Sequence, residues 1–306
     1  MLFWYKIFYG FCWLLAILPL RCLYLISDLL FVLICYVVRY RRKVVMENLR
    51  NSFPEKTEKE RRKIARKFYQ FLCDIFIETV KMVNAGTPQM RRRIRYSNPE
   101  IFDDLYRKGK QIFFITGHYG NWEWVASLEH AIPYHLSTLY RPLENKFFDK
   151  FFYDMRTKSG TDAIPSHGAI RAINRYRQEN RLTTLGFMSD QSPHRDAINY
   201  WTTFLNQETP IYIGVEKLAK RYNTAVLYYE TRRVKRGYYE VDVTLIAENA
   251  AETGDMEITN QHVQLLEQTI RRNPQYWLWS HRRWKHKREQ IEKRKKEYSE
   301  QKTPIT

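Results

Sequence analysis

The chain has 306 residues, of which 44% are hydrophobic, enough for one sizeable core. Its 51 Lys and Arg outnumber 33 Asp and Glu, giving a formal charge of +18. Such an excess calls for an anionic partner: nucleic acid, acidic lipid headgroups, a phosphorylated substrate or an acidic protein. Four cysteines (Cys12, Cys22, Cys35 and Cys73) without a CxxC pair argue against a disulfide framework or a thiolate zinc site. They read as small apolar residues in a reducing compartment.

Residues 2–38 are largely apolar but are broken by Lys6, Pro19, Arg21 and Asp28. A bilayer-spanning helix needs roughly 20 apolar residues. Two geometries meet the pattern: a single tilted span over about 22–38 with the first segment in the interface, or a hairpin that dips in without crossing. A signal peptide fits poorly, because no small-residue cleavage site precedes a polar start. A soluble protein with a very apolar first helix is the remaining alternative. The cluster Arg39-Tyr40-Arg41-Arg42-Lys43 follows directly and keeps the downstream chain cytoplasmic under the positive-inside rule. Residues 1–40 therefore read as a membrane anchor, 41–290 as a catalytic domain, and 291–306 as a basic, disordered tail.

Thr57-Glu58-Lys59-Glu60 has the form of a capping box ahead of a long helix. Ile64, Phe68, Leu72, Ile75, Phe76, Val80 and Val83 mark its apolar face. The opposite face carries Arg61, Arg62, Lys63, Arg66 and Lys67, a solvated face or a lure for anionic lipid. From residue 98 short apolar runs at 111–116, 135–140, 182–188 and 225–231 predict strands. Helical patterns alternate with them over 98–108, 122–132, 145–159, 167–179 and 209–222. The segment 238–245 alternates as an edge or antiparallel strand, and 259–273 makes a further helix. The order predicts an α/β fold, a mixed sheet flanked by helices with substantial parallel pairing.

The run Gly117-His118-Tyr119-Gly120-Asn121-Trp122-Glu123 follows the apolar strand 112–115. On one continuous helix His118 and Glu123 would stand about 140° apart in projection, so they meet only if His118 lies in a turn. Gly117 and Gly120 permit that bend. In that arrangement one ring nitrogen of His118 takes a proton from an acceptor hydroxyl, and Glu123 accepts the other N–H and orients the ring. Backbone N–H groups or a nearby Arg would hold an oxyanion, so the chemistry points to acyl transfer. A metal site from His118, Glu123, His130 and His135 lacks an HExxH spacing. No G-x-S-x-G elbow or phosphate loop is present either, so a covalent acyl-serine has no carrier.

The segment Thr116–Glu123 resembles the signature of the lipid A biosynthesis (late) acyltransferase family. Further matches keep the same order: Asn48-Leu49, Phe53-Pro54-Glu55, Tyr140-Arg141-Pro142, Arg156 ahead of Gly160, Asp190-Gln191, and the run Trp277-Leu278-Trp279-Ser280-His281-Arg282-Arg283-Trp284-Lys285. The likeness covers nearly the whole chain. It implies the glycerolipid acyltransferase-like α/β fold. The activity implied is direct transfer of a fatty acyl chain from an acyl carrier protein thioester to a hydroxyl of a lipid A precursor, at the cytoplasmic face of the bacterial inner membrane. The family's dyad maps onto His118 and Glu123, with no cofactor and no metal.

Asn121, Arg141, Arg156 and Asp190 are the candidate substrate-binding residues. The two arginines suit bidentate contacts to an acceptor phosphate, or ordinary ion pairs. Asp190-Gln191-Ser192-Pro193 follows a strand end, where open α/β sheets place ligands. Trp277, Trp279 and Trp284 interleaved with basic residues could stack single-stranded nucleic acid, but beside a membrane anchor they read as packed or interfacial. The expected partners are thus the carrier thioester, a phosphorylated glycolipid and anionic membrane lipids, with no nucleic acid. A glycerolipid or lysophospholipid acyltransferase using coenzyme A thioester, and a non-enzymatic basic tethered module, are the competing readings.

Overall fold

The computed structural model describes residues 2–84, 87–129 and 131–302. It opens with two apolar helices, α1 (Leu2–Ile17) and α2 (Leu20–Val32), separated at Pro19, which lacks an N–H and fixes φ. A π-helical turn, Leu33–Val37, prolongs α2. Together Leu20–Val37 make 18 residues long and apolar enough to cross a membrane by length and composition. Arg39 and Arg41 take left-handed φ values of 52° and 47° and turn the chain into α3 (Arg42–Ser52).

Helix α4 (Glu58–Met82) starts at the expected capping box: Thr57 Oγ1 accepts from Glu60 N–H at 3.3 Å, and the Glu60 carboxylate accepts from Thr57 N–H at 2.7 Å. Its buried face differs from the apolar stripe read in sequence. Phe68, Leu72, Ile75 and Val83 are buried, but Phe76 is 51% exposed, and the charged Asp74 and Glu78 lie inside. Both carboxylates have dedicated partners. Asp74 receives Ser27 Oγ at 2.7 Å, Arg233 at 2.7 Å and Arg236 at 2.6 Å, while Glu78 receives Tyr24, Tyr239 and the Asn121 amide at 2.7, 2.7 and 2.6 Å. Acidic side chains buried with full hydrogen bonding displaced the simple apolar rule here, and burial pushes the Glu78 carboxyl up to about 7.

The remaining elements are α5 (Thr87–Arg91), β1 (Ile94–Tyr96), α6 (Glu100–Arg107), β2 (Ile112–Thr116), β3 (His135–Tyr140), α7 (Lys146–Thr157), β4 (Asp162–Pro165), α8 (Ala169–Gln178), β5 (Thr183–Met188), β6 (Trp201–Phe204), β7 (Gln207–Pro210), α9 (Gly214–Tyr222), β8 (Ala225–Lys235), β9 (Tyr238–Ala247), α10 (Glu257–Arg272) and α11 (Arg288–Lys302). Seven strands form one sheet in the order β1-β9-β8-β2-β5-β3-β4, and only the β8–β9 pair is antiparallel. The mixed α/β sheet flanked by helices is the fold class the sequence predicts. Strand β2, Ile-Phe-Phe-Ile-Thr, is buried at all five positions because helices cover both faces, as parallel central strands require. On one face Phe114 stacks on Tyr229 at 4.2 Å between centroids, a contact open only because Gly186 beside it has no Cβ. On the other, Phe113 and Ile115 pack with Ile173 and Tyr176 of α8 and Val215 and Ala219 of α9.

Several local expectations need correction. Residues 122–132 do not form an α-helix: a short 3-10 turn, Trp124–Leu128, replaces it. Strand β9 pairs antiparallel with β8, one of its two expected forms, and takes β1 in parallel on its far side. The strands β1, β4, β6 and β7 span only three or four residues each, too short for alternation to register. Helix α11 runs into the basic tail, with Ile291 buried.

Removing both cations from buried Asp74 should be costly, because an unpaired buried charge loses more than a pair contributes. The double variant Arg233→Ala/Arg236→Ala is expected to lower the unfolding free energy by roughly 3–5 kcal/mol. Denaturant unfolding of detergent-solubilised protein checks this, and an unchanged midpoint would remove the network from the account.

Candidate active site

The strand register brings the central pair together. Strands β2 and β5 are parallel neighbours with Thr116 opposite Met188. Two residues past those partners stand His118 and Asp190, so both chains leave the carboxyl edge of the sheet in step. That edge is where open α/β sheets place ligands. The chain bends sharply there: Gly120 has φ +61°, and a Cβ on it would lie 1.9 Å from Thr231 O.

His118 Nδ1 lies 2.7 Å from Asp190 Oδ1. Asp190 Oδ2 accepts the His118 backbone N–H at 2.9 Å and the Trp277 indole N–H at 2.8 Å. A buried carboxylate can only accept, so this arrangement places the ring proton on Nδ1 and leaves the lone pair on Nε2. Gln191 Nε2 sits 3.3 Å from that free nitrogen, and Trp122 packs edge-on against the ring at 5.2 Å. Burial raises the Asp190 pKa, but the His118 ring, the His118 N–H and the Trp277 indole outweigh it and hold the carboxyl well below its ordinary range.

The segment 276–281 straps the site from the C-terminal side. Leu278 N–H donates to His118 O at 3.1 Å, and Gly120 N–H donates to Tyr276 O at 3.1 Å. Further along, Ser192 N–H donates to His281 Nε2 at 3.3 Å. Burial, opposed by Asp190 and aided by Arg283, lowers the His281 pKa to about 4, so the ring is neutral and can accept that bond. Sequence reasoning missed these roles of Trp277, Gln191 and His281. The dense Trp/His run at 277–285 marked a packed segment without showing which carboxylate it served.

The expectation that Glu123 orients the His118 ring is corrected by these contacts, because Asp190 occupies Nδ1. Glu123 instead makes a bidentate ion pair with Arg156 of α7, at 2.9 and 2.6 Å. The reason is electrostatic. Glu123 is 7% exposed, burial raises its pKa, and the Arg156 guanidinium outweighs that and keeps it ionised below its usual range. His118 adds to the same field. Arg156 spends Nε and Nη2 on that pair, and its side chain is 22% exposed.

Asn121, expected to bind substrate, is 0% exposed. Its amide donates to Glu78 and its oxygen caps Trp124 N–H, so it fixes the turn instead. Arg141 is exposed beyond the end of β3, with no ion pair among the described residues. His130 lies outside the described residues, and His135 is held between Glu129 at 3.0 Å and Asp162 at 3.2 Å. Trp277 and Trp279 are buried, which leaves no open stacking platform there.

A depressed carboxyl pKa contributes stability that is present above the unfolded value and lost as pH falls toward the folded one. Asp190→Asn should therefore be less stable than wild type at pH 7 by roughly 1–3 kcal/mol. The gap should narrow as pH falls below about 4, where the unfolded carboxyl protonates. Parallel denaturation curves at pH 7 and pH 3 measure it.

No curated protein matches the chain. The family model described as bacterial lipid A biosynthesis acyltransferase matches residues 1–286, and by that match the chain belongs to this family of acyl-transferring enzymes.

Proposed function

We propose that this enzyme moves a fatty acyl chain directly from an acyl carrier protein thioester to a hydroxyl of a lipid A precursor. The observation that carries the reading is the imidazole with Nδ1 tied to Asp190 and Nε2 turned to the Gln191 amide at the sheet's carboxyl edge. The acceptor O–H replaces the Gln191 contact and gives its proton to His118 Nε2. The oxygen attacks the thioester carbonyl, the C–S bond breaks, and the thiolate leaves with the proton returned by the imidazolium. No acyl-enzyme forms, and the step needs no cofactor or metal.

Asp190 stabilises the imidazolium across 2.7 Å in a buried setting, where a fixed charge acts strongly. Glu123 acts through Arg156: it holds the guanidinium beside the site, and its charge adds to the field on His118. A positioned base supplies about 10²–10⁴ in rate, and positioning and electrostatics supply the rest. The net charge of +18 suits a phosphorylated glycolipid, an acidic carrier and anionic lipid together. The apolar N-terminus followed by the Arg39–Lys43 cluster favours the cytoplasmic face of the inner membrane.

His118→Ala should lower the transfer rate by at least about 10²-fold, and Asp190→Asn should fall in the same range, with membrane association intact in both. Glu123→Gln should weaken transfer less than His118→Ala. The assay offers purified protein two donors, carrier thioester and coenzyme A thioester, and two acceptors, a lipid A precursor and lysophosphatidic acid. Preference for the second member of each pair would favour a glycerolipid acyltransferase. Wild-type rates in His118→Ala would remove the assignment.

A further inference from the structure

We propose that residues 2–38 dock into a single leaflet without crossing it, and that a basic cradle at the rim of this hairpin takes the phosphates of anionic lipid headgroups. The proposal rests on the membrane association in the reading above, but not on the reaction.

By length the question is open. Leu20–Val37 has 18 residues, about 27 Å as a helix, close to the roughly 30 Å of a hydrocarbon core. The contacts along it decide the matter. Midway along α2, Tyr24 donates to Glu78 at 2.7 Å, Ser27 donates to Asp74 at 2.7 Å, and Arg236 reaches Asp28 at 2.7 Å and the Tyr24 carbonyl at 3.5 Å. The start of α1 is fastened too, by Tyr5 donating to Asp154 of α7 at 2.6 Å. Even the α1–α2 turn, the part that any crossing must carry to the far side, is held by the catalytic domain: Lys81 Nζ donates to Ala16 O at 2.6 Å and Leu18 O at 3.0 Å.

Crossing with the domain attached would draw Asp74, Arg233 and Arg236, with the buried Glu78 carboxyl, to hydrocarbon depth, where ionised side chains are strongly disfavoured. Crossing with α2 detached would strip Asp74 and Glu78, which are 1% and 0% exposed, of the Ser27 and Tyr24 hydroxyls. Lying flat requires neither.

The outward face supplies what flat docking needs. Phe3, Trp4, Leu14, Leu25, Leu29 and Val37 are all more than half exposed. Where this face ends, Arg39, Arg41, Arg42, Lys43, Arg50 and Arg282 line an open cavity of about 840 Å³ with no acidic residue in its wall. Arg50 is paired with Glu58, but Arg42, Lys43 and Arg282 make no ion pair among the described residues. Arg42 and Lys43 also stand in the first turn of α3, at the positive end of its dipole, so the site holds like charges that an anion would relieve. An apolar face bordered by unpaired cations matches an anionic leaflet: acyl chains under the hairpin, phosphates in the cradle.

Two measurements test this. The first inserts a short biotin-acceptor peptide between Leu18 and Pro19, with the same peptide after Thr306 as reference, in cells whose only biotin ligase is cytosolic. One-leaflet docking requires both positions to be modified alike. Modification of the C-terminal peptide without the turn peptide would overturn the proposal. The second floats purified full-length protein with phosphatidylcholine vesicles, with or without phosphatidylglycerol. The triple variant Arg42→Gln/Lys43→Gln/Arg282→Gln should bind the anionic vesicles at least about tenfold more weakly than wild type, and the neutral vesicles equally. Unchanged binding to anionic vesicles would remove the cradle. Neither readout uses acyl transfer, so an inactive enzyme would count against the proposed reaction and leave the docking surface standing.

Discussion

The Asp190 carboxylate is the constraint on which the site depends. It is buried and ionised, and all three of its hydrogen bonds come from groups that define the active-site edge: the His118 ring, the His118 backbone and the Trp277 indole. One anion thus sets the ring tautomer, fixes the loop that bears the ring, and joins the C-terminal segment to both. Its position follows from the register of β2 and β5, so the His118–Asp190 geometry is a property of the sheet and not of a flexible loop.

A buried pair of acidic residues does comparable work between the N-terminal apolar helices and the sheet. Asp74 and Glu78 face inward from α4, accept from α2 on one side and from β8 and β9 on the other, and through Asn121 reach the turn that carries His118. The apolar hairpin and the active-site turn are therefore braced by the same two side chains. In the proposed reaction the acceptor's alcohol arrives from a lipid surface, and this bracing would keep the sheet edge at a fixed height above it.

Much of the fold was legible because its signals are local. The Thr57 capping box, the apolar run at β2 and the helices at 145–159 and 259–273 each rest on residues within a few positions of one another. His118 was legible for the same reason, being framed by glycines after a strand. Its partner was not. Glu123 is close in sequence and Asp190 is 72 residues away, and only pairing between β2 and β5 shows which one meets the ring. The partners of Asn121 and Arg156 were hidden for a related reason: Glu78 and Glu123 meet them only through packing that the order of residues does not show. The 3-10 turn at Trp124–Leu128 has five buried residues in succession, so no amphipathic period was available to tell it from an α-helix.

The protonation pattern of the His118 imidazole is open to direct observation. Long-range proton–nitrogen correlation spectra of histidine-labelled protein in detergent, with His118 assigned by its loss in His118→Ala, report which nitrogen of the neutral ring bears the proton. The account predicts a protonated Nδ1 and a bare Nε2 in the wild type, with that preference lost in Asp190→Asn. A protonated Nε2 in the wild type, or an identical ring pattern without the Asp190 carboxylate, would contradict it.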